Sequence, residues 1–227
     1  MNRISQRLEQ VRDRIRLATA AAGRPAGSVR LLAVSKTRPL VDLEAALAAG
    51  QTAFGESYLQ DALPKIEGLG SNVEWHFIGP VQANKTRAIA SHFAWVHSVE
   101  RLKIARRLSE QRPPTLPPIN LCLQVNISGE MNKAGCPPEE LPELAAEIIR
   151  LPGLVLRGLM TIPAQETVFE RQRRPFRELR LAFEALKAQG HHLDTLSMGM
   201  SNDLEAAIAE GSTLVRVGTA IFGSRRA

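Results

Sequence analysis

Only two cysteines occur in the 227 residues, too few for a disulfide framework or a thiolate metal set. Cys122 sits in an apolar run and reads as core, while Cys136 lies in a loop beside Pro137 and Pro138. Aromatic residues make up 4% of the chain, with Tyr58 the single tyrosine, which argues against a base-stacking platform for nucleic acid. Long apolar runs are missing as well. No stretch approaches the roughly 20 residues that span a bilayer, and the charged, amphipathic N-terminal pattern lacks the apolar core of a signal peptide. No linker-like, low-complexity or periodically repeated segment interrupts the chain. The expectation is a cytosolic chain folded as a single domain over residues 1–227, with no metal, nucleic-acid or membrane partner.

What is present is an ordinary globular composition, 44% hydrophobic, with a formal charge of +6. The basic residues are scattered. Their densest clusters are Arg171-Gln172-Arg173-Arg174, Arg106-Arg107 and Arg225-Arg226, which solvated helix faces explain; an anionic ligand adds a reason for the bias.

Short β-type runs alternate with longer helical patterns from end to end. Ile4, Leu8, Val11 and Ile15 recur at helical spacing and predict an opening helix that stops near Gly23 and Pro25. Strand candidates follow at 30–35, 52–55, 73–78, 95–98, 119–126, 155–160, 195–198 and 214–217. Helical patterns separate them at about 39–49, 57–67, 83–91, 99–111, 138–150, 166–190 and 202–210, with a short one after Gly218. Such βα units point to a parallel sheet with crossover helices, and eight of them predict a compact α/β (β/α)₈ TIM barrel with an additional N-terminal helix. A doubly wound open sheet is the alternative, but no glycine-rich dinucleotide fingerprint follows the first strand.

In a barrel, functional residues lie where strands run into the next helix. Lys36 ends the apolar run Leu31-Leu32-Ala33-Val34-Ser35, where it either snorkels to solvent or serves as a nucleophilic amine able to capture an aldehyde. After the seventh strand comes Ser197-Met198-Gly199-Met200-Ser201-Asn202-Asp203, with Ser201 placed as a helix cap and Gly199 allowing close approach of a ligand. After the eighth, Gly218-Thr219 opens another helix. Two such helix starts side by side predict a phosphate site. Arg216 lies on the strand face opposite Val215 and Val217 and needs an acceptor, either a barrel carboxylate or a ligand atom. An amine, an anion cradle and an inward guanidinium are the outline of a pyridoxal phosphate pocket.

The chain resembles the pyridoxal phosphate homeostasis protein family, also called the YggS or PROSC family, whose fold is that of the alanine racemase N-terminal barrel. The matching stretches include Leu32-Ala33-Val34-Ser35-Lys36-Thr37, Phe54-Gly55-Glu56 and Trp75-His76-Phe77-Ile78-Gly79-Pro80-Val81-Gln82. Others are Gln124-Val125-Asn126-Ile127, Lys133-Ala134-Gly135 and Arg157-Gly158-Leu159-Met160, then Leu196 to Asp203 and Arg216 to Gly223. The resemblance implies that Lys36 forms a Schiff base with pyridoxal 5'-phosphate, that Ser201, Gly218 and Thr219 hold its phosphate, and that Arg216 faces the pyridine nitrogen. Ser57 stands where the family usually has asparagine after Phe-Gly-Glu, and a polar contact to the cofactor is shortened or lost there. Asn132 likewise replaces the commoner serine.

Three functions remain to be separated. An arginine at the ring nitrogen favours an unprotonated pyridine and weakens the cofactor as an electron sink. Alanine racemases add a tyrosine base from a further domain, and here the sequence stops at Ala227, directly after the barrel. The expectation is therefore a monomeric carrier or buffer of pyridoxal phosphate without robust catalysis, loading apo enzymes transiently. A low-activity amino-acid racemase is the alternative; an aldolase-like barrel that uses the lysine on its substrate is the third reading. His76 is expected to be a hydrogen-bonded core histidine rather than a base. Lys133 is expected to be a solvated loop lysine rather than a second amine.

Overall fold

The computed structural model describes residues 2–130 and 133–224; Asn132 and the Arg225-Arg226 cluster lie outside the described residues. Eight parallel strands close into a barrel in sequence order: β1 (Arg30–Val34), β2 (Ala53–Glu56), β3 (Glu74–Phe77), β4 (Trp95–Val99), β5 (Ile119–Gln124), β6 (Leu154–Met160), β7 (Thr195–Ser197) and β8 (Leu214–Val217). Helix α1 (Arg3–Ala21) precedes them. The crossovers are α2 (Leu40–Ala48), α3 (Leu59–Leu69), α4 (Thr86–His92), α5 (Leu102–Gln111), α6 (Leu141–Ile148), α7 (Phe169–Ala188) and α8 (Leu204–Ala209), and α9 (Thr219–Phe222) follows β8. The architecture is the one the βα alternation predicts. Strand β5 stops at Gln124 instead of 126, because the chain leaves the ladder through a single bridge between Val125 and Cys136.

Closure is carried by β1 and β8, which pair in register from Arg30 opposite Leu214 to Ala33 opposite Val217. Outside that seam, α1 buries Leu8, Val11 and Ile15. Each such side chain contributes about 1.5–3 kcal/mol when removed from water. Arg14 of α1 then grips Glu205 of α8 with two bonds of 2.8 and 2.9 Å and donates to the Ser201 carbonyl at 3.0 Å. A second anchor is Glu210, nearly buried just after α8 and bound by Arg173, Arg177 and Arg180 of α7. Burial works against its charge, but the arginine hydrogen bonds win and hold its carboxyl below the usual value.

The main apolar core lies between the sheet and the helices. Inside the barrel, two small clusters, Leu32–Ala53–Leu214 and Trp95–Cys122–Met160, share the space with polar side chains. Burial pushes the Cys122 thiol up to about 12, so it acts as a small apolar filler. Gly158 marks the tightest place in the wall: a Cβ there would lie 1.7 Å from the Thr195 carbonyl oxygen of the neighbouring strand. Gly158→Ala should therefore cost at least about 2 kcal/mol, which lowers Tm by roughly 4–8 °C in a thermal melt followed by circular dichroism.

Candidate functional site

The backbone around Lys36 is pinned on both sides. Before it, Ser35 donates its N–H to Gly55 O (3.0 Å) and its hydroxyl to Glu56 Oε1 (2.6 Å). Lys65 of α3 bonds the same carboxylate oxygen at 2.7 Å and the Ser35 carbonyl at 2.9 Å. Glu56 is fully buried, and among the described residues its Oε2 has no hydrogen-bond partner. Burial raises its pKa, with the bonds from Lys65 and Ser35 acting the other way. After Lys36, Thr37 turns the chain at φ 63°, and Arg38 donates to the carbonyls of Gly223 and Ser224. Lys36, half-buried, thus leaves a strand end that has little freedom to shift.

The exits of β7 and β8 meet beside it. Ser201 does not cap α8, as its position in sequence suggests. Asp203 takes the N–H of Met200 at 2.5 Å, this turn delays the helix to Leu204, and Ser201 Oγ instead accepts the N–H of Ala220 in α9 at 3.3 Å. Ser201 therefore joins the two exits. With six and four residues, α8 and α9 carry only short dipoles, so what these exits offer an anion is hydroxyls and first-turn N–H groups. Gly199, at φ 95°, has a structural reason of its own: a Cβ there would sit 2.6 Å from Ala207 Cβ, so the glycine lets this turn lie close to α8. Gly218 lies against β1, where a Cβ would be 3.1 Å from Val34 O.

Arg216 points into the barrel and is almost completely buried. The barrel carboxylate that the sequence offered as one acceptor is not what holds it. Its Nη1 donates to the carbonyl and hydroxyl of Ser197, at 2.5 and 2.7 Å, and its Nη2 to Thr161 O at 2.8 Å. Ends of β6 and β7 supply these oxygens, and no carboxylate is among them. Burial lowers its pKa to about 10, with the charge of Asp203 working upward, so the guanidinium stays protonated at neutral pH.

Beneath Arg216 lie two fully buried histidines. His76 is the hydrogen-bonded core histidine expected, and His97 is a partner that sequence reading missed. His97 Nδ1 is 2.8 Å from Ser197 Oγ, His97 Nε2 is 2.8 Å from His76 Nδ1, and His76 Nε2 is 2.9 Å from Glu74 Oε1. Burial lowers both imidazole pKa values; the Arg216 charge adds to the effect on His97, whereas the Glu74 carboxylate works the other way on His76. The hydrogen bond from His76, helped by Arg30, takes the Glu74 carboxyl down to about 2 against the opposing effect of burial.

Lys36, Ser57, Ser201, Arg216, Gly218 and Thr219 all line one cavity of about 580 Å³ at the C-terminal mouth of the barrel. Gln165, Glu166 and Thr167, from the loop between β6 and α7, close another side; the helical pattern expected from about 166 begins only at Phe169, which leaves Glu166 and Thr167 in the loop. Other exit residues are occupied elsewhere. Glu56 faces Lys65, Ser98 donates to Gly79 O, and Asn126 Nδ2 closes its own loop on the carbonyls of Glu130 and Lys133. Lys133 pairs with Glu130 at 2.8 Å beside a separate surface hollow. No His/Cys/Asp/Glu cluster suited to a metal ion occurs among the described residues, and no described helix is long and apolar enough to cross a membrane.

A (β/α)₈ barrel whose first strand leads out to a lysine and whose last two exits form a polar cradle defines a class, and the profile described as "Alanine racemase, N-terminal domain" matches residues 6–226. The pyridoxal phosphate homeostasis protein of Pseudomonas aeruginosa is 57% identical over 226 residues, covering 99% of this chain and 97% of that one. That of Escherichia coli K12 is 52% identical over 229 residues, with 99% and 98% covered. PipY of Synechococcus elongatus, solved with PLP bound, superposes with a TM-score of 0.85 at 35% identity, over 97% of this chain and all of that one (100%). The chain belongs to the pyridoxal phosphate homeostasis protein family.

The buried histidines make stability depend on pH. Both are held neutral when folded but have ordinary pKa values when unfolded, so below about pH 6.5 the unfolded chain binds more protons. Their contribution is complete above that pH and falls as pH drops, with a slope approaching about 1.4 kcal/mol per unit for each histidine. Denaturant titrations between about pH 7.5 and 5.5 should show this slope, and His97→Gln should shed one histidine's share of it.

Proposed function

We propose that this chain binds pyridoxal 5'-phosphate in the barrel mouth and holds it as an intracellular carrier or buffer without robust turnover. The carrying observation is that an amine, a permanently charged guanidinium and a hydroxyl-lined cradle share one cavity of about 580 Å³. That volume lies within the usual range for small-molecule sites. When bound, the cofactor supplies an aldehyde that an amine can capture.

The residues divide the work by chemistry. Lys36 is the amine on a fixed strand end. Ser201 and Thr219, with the backbone at Gly218, suit a phosphate dianion, because hydroxyls and amides donate to it while Gly218 leaves the seam open. Arg216 faces the pyridine nitrogen and keeps it unprotonated, since a guanidinium cannot take up a proton. Ser57 lies at the side of the cavity with a shorter reach than the family's usual asparagine. The weak electron sink at Arg216 favours storage over amino-acid chemistry. Tyr58, the only tyrosine, is half exposed and lies off the cavity lining, which gives it no aim at a substrate. In this reading the chain acts as a cytoplasmic monomer that meets apo enzymes transiently at the open mouth.

Protein loaded with pyridoxal phosphate and reduced with borohydride should carry the cofactor on the Lys36 peptide. Lys36→Ala should remove the main visible absorbance, and a normal band in that variant would place the anchor elsewhere. Chiral analysis of alanine and other amino acids after long incubation should show no rapid inversion; rapid inversion establishes the racemase reading instead.

A further inference from the structure

A line of hydrogen bonds crosses the barrel interior from the floor of the cavity to the opposite face. It runs from Arg216 Nη1 through Ser197 Oγ (2.7 Å), His97 (2.8 Å), His76 (2.8 Å) and Glu74 (2.9 Å) to Arg30 (2.5 Å). Barrel interiors of this kind are ordinarily filled by branched apolar side chains. Here strands β1, β3, β4, β7 and β8 each give a position to the line.

The direction of every bond follows from its two ends. Glu74, as a carboxylate, only accepts, so His76 donates from Nε2–H. A neutral His76 then has a bare Nδ1, which accepts from His97 Nε2–H. A neutral His97 likewise has a bare Nδ1, which accepts the Ser197 hydroxyl proton. Ser197 Oγ is left with lone pairs, and Arg216, which only donates, fills one of them. The reverse sense would leave a bare His76 Nε2 facing the Glu74 carboxylate, acceptor against acceptor. Trp95 holds the rings in place: it stacks on His76 at 5.3 Å and 6° and lies 5.7 Å from His97. On the remote side the Arg30 and Arg157 guanidinium groups approach the Trp95 ring to 6.0 and 5.1 Å.

We infer that Glu74, His76 and His97 are positioning residues for Arg216, fixing the guanidinium through Ser197 and carrying the charge state of the remote barrel face to the cofactor ring. The inference rests on the reading that Arg216 faces the pyridine nitrogen. Hydrogen bonds in such a line polarise one another, so a carboxylate at the far end makes Ser197 Oγ a stronger acceptor. Arg216 keeps two carbonyl acceptors without the line. The line therefore selects the guanidinium's orientation, and removing it does not leave the charge stranded.

Two measurements test this. Nitrogen-15 NMR of the cofactor-free protein should show His76 and His97 both as neutral Nε2–H tautomers that do not titrate from about pH 6 to 8. An Nδ1–H His97, or an imidazolium at either position, overturns the inference whatever the cofactor does. In the loaded protein, Glu74→Gln should shift the cofactor absorbance and weaken pyridoxal phosphate binding about threefold to tenfold, with Glu74→Asp recovering part of the loss. A Glu74→Gln variant with lowered Tm but unchanged spectrum and affinity would make the line structural only. Arg216→Lys distinguishes the two levels. If it changes spectrum and affinity while Glu74→Gln does not, the positioning line fails and the cofactor reading stands; if Arg216→Lys changes neither, the placement of Arg216 at the ring fails and takes the inference with it.

Discussion

A charged guanidinium inside a closed barrel is the constraint around which the site is arranged. Arg216 cannot shed its proton at neutral pH, and an uncompensated buried charge would cost several kcal/mol. The oxygens that satisfy it come from the ends of β6 and β7, so the wall that closes the barrel also fixes the cavity floor. Ser197 O takes part in both, since it also receives the Thr161 N–H of the sheet ladder. Strand register, barrel closure and the aim of one side chain are therefore a single geometric condition.

The apolar packing that stabilises the molecule is kept largely outside the sheet, between strands and helices. That division frees the interior for polar groups that would be a poor core by themselves. The Glu56–Lys65 pair belongs to the outer layer although Glu56 neighbours the cavity residue Ser57 in sequence. Its geometry ties α3 to the carbonyl just before Lys36, which explains a buried carboxylate with one oxygen left over. The ion pair is costly as stabilisation but effective as a positional clamp.

Much of this was legible in the sequence because the signals were local. Alternation of short apolar runs with helical spacing identified the barrel, and a lysine or arginine interrupting such a run stood out as Lys36 and Arg216. All six residues singled out meet in one cavity. The misreadings come from non-local geometry. Ser201 has the composition and position of a helix cap, yet Asp203 takes over the turn and releases Ser201 to α9. His97 sits in Trp95-Val96-His97-Ser98 with no flag of its own, because its partners are on β3 and β7, at sequence separations of 21 and 100 residues. The acceptors of Arg216 are mostly main-chain carbonyls, which no pattern of side chains announces.

The seam between β1 and β8 has a consequence for how the protein comes into being. Lys36 is synthesised well before β8, Thr219 and the two carbonyls just after α9 that receive Arg38. Long-range pairing of this kind closes late, after the entropy of the whole intervening chain has been overcome. During synthesis the strand that carries the lysine has one lateral edge open until its final neighbour arrives. The growing chain thus has its amine long before it has the polar cradle at the β7 and β8 exits, and the two become one site only once β8 has been made.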